Sequence, residues 1–172
     1  MVKADWRGRG WRGGIFFLIA IFVVAMDQTT KHWIRTKLAL GEAFPEVGCV
    51  QITHVQNTGA AFGLFTQQTI FLSIAAVIGL IVILMFYRYL SGYSMLGTVA
   101  LGLIFGGAIG NQIDRINLGH VTDFILVRLW DNVYWPTFNV ADSAITVGVI
   151  VLVCFILWVF RKGDNQPAKS RK

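Results

Sequence analysis

The sequence predicts an all-α integral membrane protein: four transmembrane helices carrying a small extracytoplasmic β platform and loops. Three observations lead there. Hydrophobic residues make up 55% of the 172-residue chain and charged ones only 14%, with a mean hydropathy of +0.62, a balance foreign to soluble domains. Several uncharged stretches approach the ~20 apolar helical residues that cross a bilayer. The segments between them hold most of the polar residues, with β-branched and turn-forming patterns.

Taken in order, the first helix is expected at about 13–32, built on GGIFFLIAIFVVAM between Arg12 and Asp27. That apolar length also suits a signal peptide, with Lys3, Arg7, Arg9 and Arg12 as its basic leader. The run ends in Asp27, Gln28, Thr29, Thr30 and Lys31, not in a small-residue cleavage site, which favours a retained helix with a polar outer turn. The second, third and fourth helices are expected at about 69–87, 94–113 and 141–161, each nearly charge-free and rich in Leu, Ile, Val and Phe. Outer segments then cover 33–68 and 114–140, and a flexible basic tail covers 162–172, all in a single membrane domain.

Counting Lys and Arg orients the chain. With both termini cytoplasmic, the inner side holds ten (four in the leader, Arg88, five in the tail) and the outer side five (Lys31, Arg35, Lys37, Arg115 and Arg128). The net charge of +6 is therefore assigned to topology and lipid headgroups. Nucleic acid is excluded as a partner because the basic residues form no single stripe. In the first outer segment, CVQITHVQ followed by NTGAAFG predicts a strand and a turn. In the second, FILVRLWDNVYW predicts two extended stretches about Asp131 and Asn132, with Trp130, Tyr134 and Trp135 suited to the membrane interface.

Most familiar chemistries find no support. Cys49 and Cys154 lie too far apart on this topology for a disulfide, and Cys49 in a β-type stretch is expected to pack, not to react. His32, His54 and His120 lack the spacing of a zinc site, no metal is expected, and no serine sits in a Gly-x-Ser-x-Gly turn. What stands out is acids and amides at the outer helix ends. Asp27 and Lys31, four apart, predict an intrahelical ion pair. Gly107, Gly110, Asn111 and Asp114 share one face, where glycines allow close packing and Asn111 can reach a neighbouring helix. Asp114 beside Arg115 is expected to form a structural pair.

Asp123 in VTDF and Asp142 in FNVAD are harder to explain as structure alone. Asp142 opens a transmembrane helix and would serve as a cap or first-turn acid, and Asp123 as a loop acid within reach of Arg115 or Arg128. The short connection between them, however, lets both reach one point at the outer leaflet. Paired carboxyls cannot both ionise easily, so one keeps a proton while the other acts as a base. Such a pair can activate water and protonate a leaving amine, with apparent pKa values that belong to the pair.

The stretches DQTTKHW, NTGAAFGLF, GGAIGNQIDR, VTDF and FNVADSAI, in that order on four hydrophobic spans, resemble bacterial lipoprotein signal peptidase, the signal peptidase II family. The resemblance runs from about residue 15 to residue 160. It implies a multi-pass inner-membrane aspartic endopeptidase with its site near the outer leaflet, which cuts diacylglyceryl-modified prolipoproteins just before the lipidated cysteine. It implies Asp123 and Asp142 as the catalytic pair. Asn57, Gly59, Asn111, Asp114, Arg115, Asn139 and Ala141 match positions that shape or support the family's site, and Asp27 and Lys31 match its first-helix motif. No cofactor is implied; membrane lipids surround the protein, globomycin is the expected inhibitor, and a monomer suffices.

Two other classes compete. An ion-coupled transporter also carries intramembrane acids, but near the midplane of repeated, broken helices, and no repeat is visible here. A scaffold protein could use the same glycines and amides for packing alone.

Overall fold

The computed structural model describes residues 9–59, 68–90, 94–131 and 133–164. The leader before Arg9, the later part of NTGAAFG (residues 60–63), Asn132 and the tail beyond Asp164 lie outside the described residues. In chain order the elements are α1 (Arg9–Lys37), β1 (Ala43–Phe44), β2 (Val50–Asn57), α2 (Thr69–Leu90), α3 (Met95–Leu118), β3 (Val121–Trp130), β4 (Val133–Phe138) and α4 (Val140–Asp164). All four helices are long and apolar enough to cross a membrane, as the predicted fold class requires.

The helix ends depart from the expected ones. α1 continues to Lys37 and α3 to Leu118, so Asp114 and Arg115 sit on the last turns of α3 instead of in a loop. Charge-free runs underestimate these helices because their final turns are polar yet still hydrogen-bonded. α4 likewise carries Lys162 to Asp164, which the sequence assigned to the tail. α3 begins at Ser94, whose side chain accepts from the Leu96 N–H at 3.1 Å. It ends at Gly119, whose φ of 75° is the left-handed conformation glycine adopts most cheaply.

α3 is the central helix. Over half (56%) of its most apolar stretch is buried, against none of the corresponding stretch of α2. α1 turns one face to it: Phe16, Ala20, Val23, Asp27, Lys31 and Ile34 recur at helical spacing and are all buried. On α4, Ala141, Ala144 and Phe155 are buried, while many other large apolar residues of α1, α2 and α4, such as Phe22, Ile78 and Leu157, are exposed, as in helices whose solvent is lipid. Close approach depends on glycine. A Cβ at Gly106 would lie 2.8 Å from the Ala20 carbonyl oxygen, and one at Gly107 would lie 2.5 Å from that of Ala141. No side chain fits between these backbones.

The β platform is one antiparallel sheet of order β1-β2-β3-β4, covering the predicted strands around CVQITHVQ and FILVRLWDNVYW. Val55 pairs with Asp123 and Asn57 with Val121, bringing the N-x-G turn beside the acid of VTDF. The first residues of β3, Val121 to Phe124, are all buried because that end of the strand is wedged against the helices. The far end carries exposed Trp130, Tyr134 and Trp135. Cys49 lies in the bend before β2, where its carbonyl accepts the Arg128 N–H at 2.8 Å, but its side chain is exposed and does not pack.

Gly106→Ala is expected to part α1 from α3 and lower stability by about 1–3 kcal/mol. Thermal unfolding in detergent checks this against Gly79→Ala, where a Cβ meets nothing within 4 Å and no loss is expected.

Candidate active site

The polar layer starts from a charge buried in α1. Lys31 and Asp27 are both fully buried and form an ion pair at 2.8 Å, one helical turn apart. The Lys31 ammonium also donates to Asn111 Oδ1 at 2.9 Å and lies 3.6 Å from Asp114, both on α3. Asp27 in turn accepts the Ala141 N–H at 3.0 Å, an otherwise unpaired donor at the start of α4. Gln28 donates to Asp27, to Asp114 and to the Gly110 carbonyl.

Asp114 does not pair with Arg115. It lies 3.4 Å from Arg35 and accepts the Thr122 N–H at 2.9 Å, while Arg35 donates to the Thr122 hydroxyl at 3.0 Å. Adjacent residues on a helix point about 100° apart. Asp114 therefore faces α1 and β3 while Arg115 lines a cavity, with no ion pair within 4 Å among the described residues. Arg128, the other cation considered for Asp123, pairs in the ladder with Tyr134, farther along β3.

Asn139 joins the layer to the two remaining acids. At the mouth of α4 it forms a reciprocal cap with Asp142: its Oδ1 accepts the Asp142 N–H at 2.9 Å, and the Asp142 carboxylate accepts the Asn139 N–H at 3.1 Å. Its fully buried side-chain amide donates to Asp123 Oδ1 at 2.7 Å and to Asn111 Oδ1 at 3.1 Å. Asn111 completes the ring by donating to Asp142 Oδ1 at 2.7 Å. From the sheet, Asn57 donates to Asp123 Oδ2 at 2.9 Å while its own Oδ1 accepts the Gly59 N–H, locking the turn.

These groups border a cavity of about 1010 Å³, open on one side. Asp123, Asp142, Asn57, Gly59, Asn111 and Arg115 line it, with Trp135 to Phe138 of β4 and Ile145 to Val147 of α4 as apolar and aromatic walls. Asp27, Lys31, Asp114, Asn139 and Ala141 stand behind it as supports. Burial, then the nearby negative charge of Asp142, pushes the Asp123 carboxyl up to about 7, against the opposing hydrogen bonds from Asn57 and Asn139. Two carboxyls, one holding a proton near neutrality, can take a proton from water and give one to a leaving group.

Gln28, Arg35 and Thr122 did not emerge from the sequence as members of this layer. Arg35 had a signal, since Asp27, Lys31 and Arg35 recur at i, i+4 and i+8 on one face. Thr122 acts through its backbone N–H as well as its hydroxyl, and a backbone donor leaves no trace in residue type. The histidines do not converge: His32 is exposed, and His54 is buried with its Nδ1 3.0 Å from the Leu38 carbonyl oxygen.

Residues 19–158 match the family model described as signal peptidase (SPase) II. A lipoprotein signal peptidase of Moorella thermoacetica is 43% identical over 88% of this chain and 99% of its own. One of Dehalococcoides mccartyi is 45% identical over 92% and 99%. Two solved structures described as bacterial membrane enzymes superpose with TM-scores of 0.79 and 0.75, at 35% and 37% identity. They cover 100% and 91% of this chain, and 99% and 97% of their own chains are matched.

Lys31→Met is expected to destabilise the fold by at least ~3 kcal/mol, because it leaves Asp27 and Asp114 buried without their shared cation. Adding Asp27→Asn in the same chain is expected to recover part of that loss, read as the non-additive term of a double-mutant cycle in detergent unfolding.

Proposed function

The chain belongs to the signal peptidase II family, and from that premise we propose that it removes signal peptides from prolipoproteins by aspartic chemistry at Asp123 and Asp142. The observation that carries this reading is the single asparagine, Asn139, that hydrogen-bonds both carboxylates at the wall of one cavity.

At rest, Asp123 holds the proton, since burial and its acidic neighbour favour the neutral form. Asp142 is the base: it sits in the first turn of α4, where the N–H groups of Asn139 and Asn111 hold its carboxylate at the cavity wall. Asp142 takes a proton from a water molecule as the water attacks the scissile carbonyl carbon. The proton on Asp123 meets the developing oxyanion, with the Arg115 guanidinium on the same wall. Collapse breaks the C–N bond; the proton gained by Asp142 passes to the departing amine, and the proton lent to the oxyanion returns to Asp123. One water is consumed, and the carboxyls end as they began.

The substrate class is that of the family, and it fits a site at the outer leaflet. A prolipoprotein carrying a diacylglyceryl cysteine keeps its acyl chains in the outer leaflet and its signal helix across the bilayer, holding the scissile bond at the interface. Both termini then face the cytoplasm, as the ten-to-five Lys and Arg split favours, in the bacterial inner membrane. The layer is built entirely from one chain, which suits a monomer, and globomycin is expected to occupy the same cavity.

The test is cleavage of a diacylglyceryl-modified prolipoprotein in detergent, followed by product mass. Wild type is expected to cut just before the lipidated cysteine. Asp123→Asn and Asp142→Asn are each expected to lose at least ~10³-fold in rate while unfolding at the temperature of the wild type. Cleavage retained by either folded variant overturns the assignment.

The pH profile is expected to follow the proton on Asp123. kcat/KM falls as pH rises through about 7, because the neutral carboxyl needed to meet the oxyanion is lost. Asn57→Ala removes a hydrogen bond that lowers the Asp123 pKa, so its alkaline limb is expected to move to higher pH. Stability follows the same sign: a carboxyl raised in the fold stabilises fully below its unfolded value of 3.8, and that contribution is lost between there and about 7.

A further inference from the structure

A second cavity lies apart from the acids, between α2 and α3. It holds about 240 Å³ and is lined by Ser73, Ile74, Val77 and Ile78 of α2 and by Gln112 of α3, none of which borders the acidic cavity. Gln112 is only 7% exposed, yet its Oε1 has no hydrogen-bond partner. Among the described residues, neither its amide nor the Ser73 hydroxyl is hydrogen-bonded. Two unpaired polar groups therefore converge on a cleft whose other walls are aliphatic, the composition of a ligand site more than of a helix contact.

The surroundings specify the ligand. Both helices are membrane spans, so what reaches the cleft comes from the bilayer. Gln112 lies six residues, about 9 Å, before the end of α3, at the height where Asn111 and Asp114 form the polar layer on the opposite faces of the helix. Ser73 is one turn inside α2, below Thr69, which donates to the Gly119 carbonyl at the α3 cap. This is the level at which hydrocarbon gives way to polar groups. A glycerolipid presents hydrocarbon on one side of that level and two ester carbonyls at it.

We propose that this cleft holds one resident diacyl glycerolipid of the bilayer, an acyl chain lying along Ile74, Val77 and Ile78 and the ester carbonyls accepting hydrogen bonds from Gln112 and Ser73. The donor is the Gln112 Nε2, which, unlike Oε1, is not sealed from the surface. The occupant is a membrane lipid and not the lipid of a substrate, because the cleft opens between α2 and α3 while the acids face the sheet and α4. Its effect is to join α2, which buries no residue in its most apolar stretch, to the central helix.

Native mass spectrometry of the full chain, exchanged into equal amounts of a diester phosphatidylglycerol and its dialkyl ether analogue, tests this. The ether lacks both carbonyls but keeps the chains and headgroup. Wild type is expected to retain the diester about tenfold over the ether. Gln112→Leu, which keeps the apolar lining, is expected to bring the ratio to about one, and Ser73→Ala to reduce it. If Gln112→Leu fails to fold, Ser73→Ala on the outward-facing helix carries the comparison. An even ratio in wild type, or a diester preference untouched by the substitutions, overturns the site. Displacement of the bound lipid by a diacylglyceryl-cysteine peptide overturns its assignment to a resident lipid.

Discussion

The buried ammonium of Lys31 is the group on which the arrangement of the bundle depends. A charge inside a membrane protein is tolerated only where it is paired and its donors are filled, and a lysine has three. Here Asp27 and Asn111 take two of them, and Asp114 stands 3.6 Å away. Each partner then commits another element: Asp27 the first turn of α4 through Ala141, Asn111 the Asn139–Asp142 cap, and Asp114 the start of β3 through Thr122. One side chain thereby sets the mutual positions of three helices and a strand.

That dependence explains the packing beneath it. Pairing across helices works only if the backbones approach closely, and the glycines of α3 make room: Gly106 for α1 and Gly107 for α4. Gly110 lies against Asp27 itself, so a Cβ there would meet the carboxylate at 2.6 Å. The acids can be close to one another because amides stand between them. Asn111 and Asn139 each accept at Oδ1 and donate through Nδ2, converting one lysine's charge into oriented donors at Asp123 and Asp142. Counting charges, Asp27, Asp114, Asp123 and Asp142 face Lys31, Arg35 and Arg115, which leaves one acid in excess. A low-dielectric site with one uncompensated carboxylate retains a proton, which is the state acid–base catalysis by a carboxyl pair requires.

The sheet serves the same end from the opposite side. Its β2–β3 register sets Asn57 beside Asp123, and its edge strand β4 walls the cavity before the chain turns into α4 at Asn139. The two proposed catalytic acids thus sit on different kinds of element, one strand and one helix, separated by a hairpin strand. Rigidity on both sides holds them in register.

By itself the sequence determined the membrane spans, the existence of the sheet and the short connection between Asp123 and Asp142, because each is written in local pattern: apolar run length, β-branched composition, spacing along the chain. The shared face of Gly107, Gly110, Asn111 and Asp114 was legible for the same reason, since helical periodicity is local. Tertiary structure alone decided who pairs with whom. Asp114 turned from its neighbour Arg115 to Lys31 and Arg35, Cys49 was left exposed, and Arg35, Gln28 and Thr122 joined the polar layer. The physical reason is that a buried charge selects its partner by direction and distance in three dimensions, across helices 80 residues apart in sequence, as Lys31 and Asn111 are. Many of those partners are backbone N–H groups that no residue letter records.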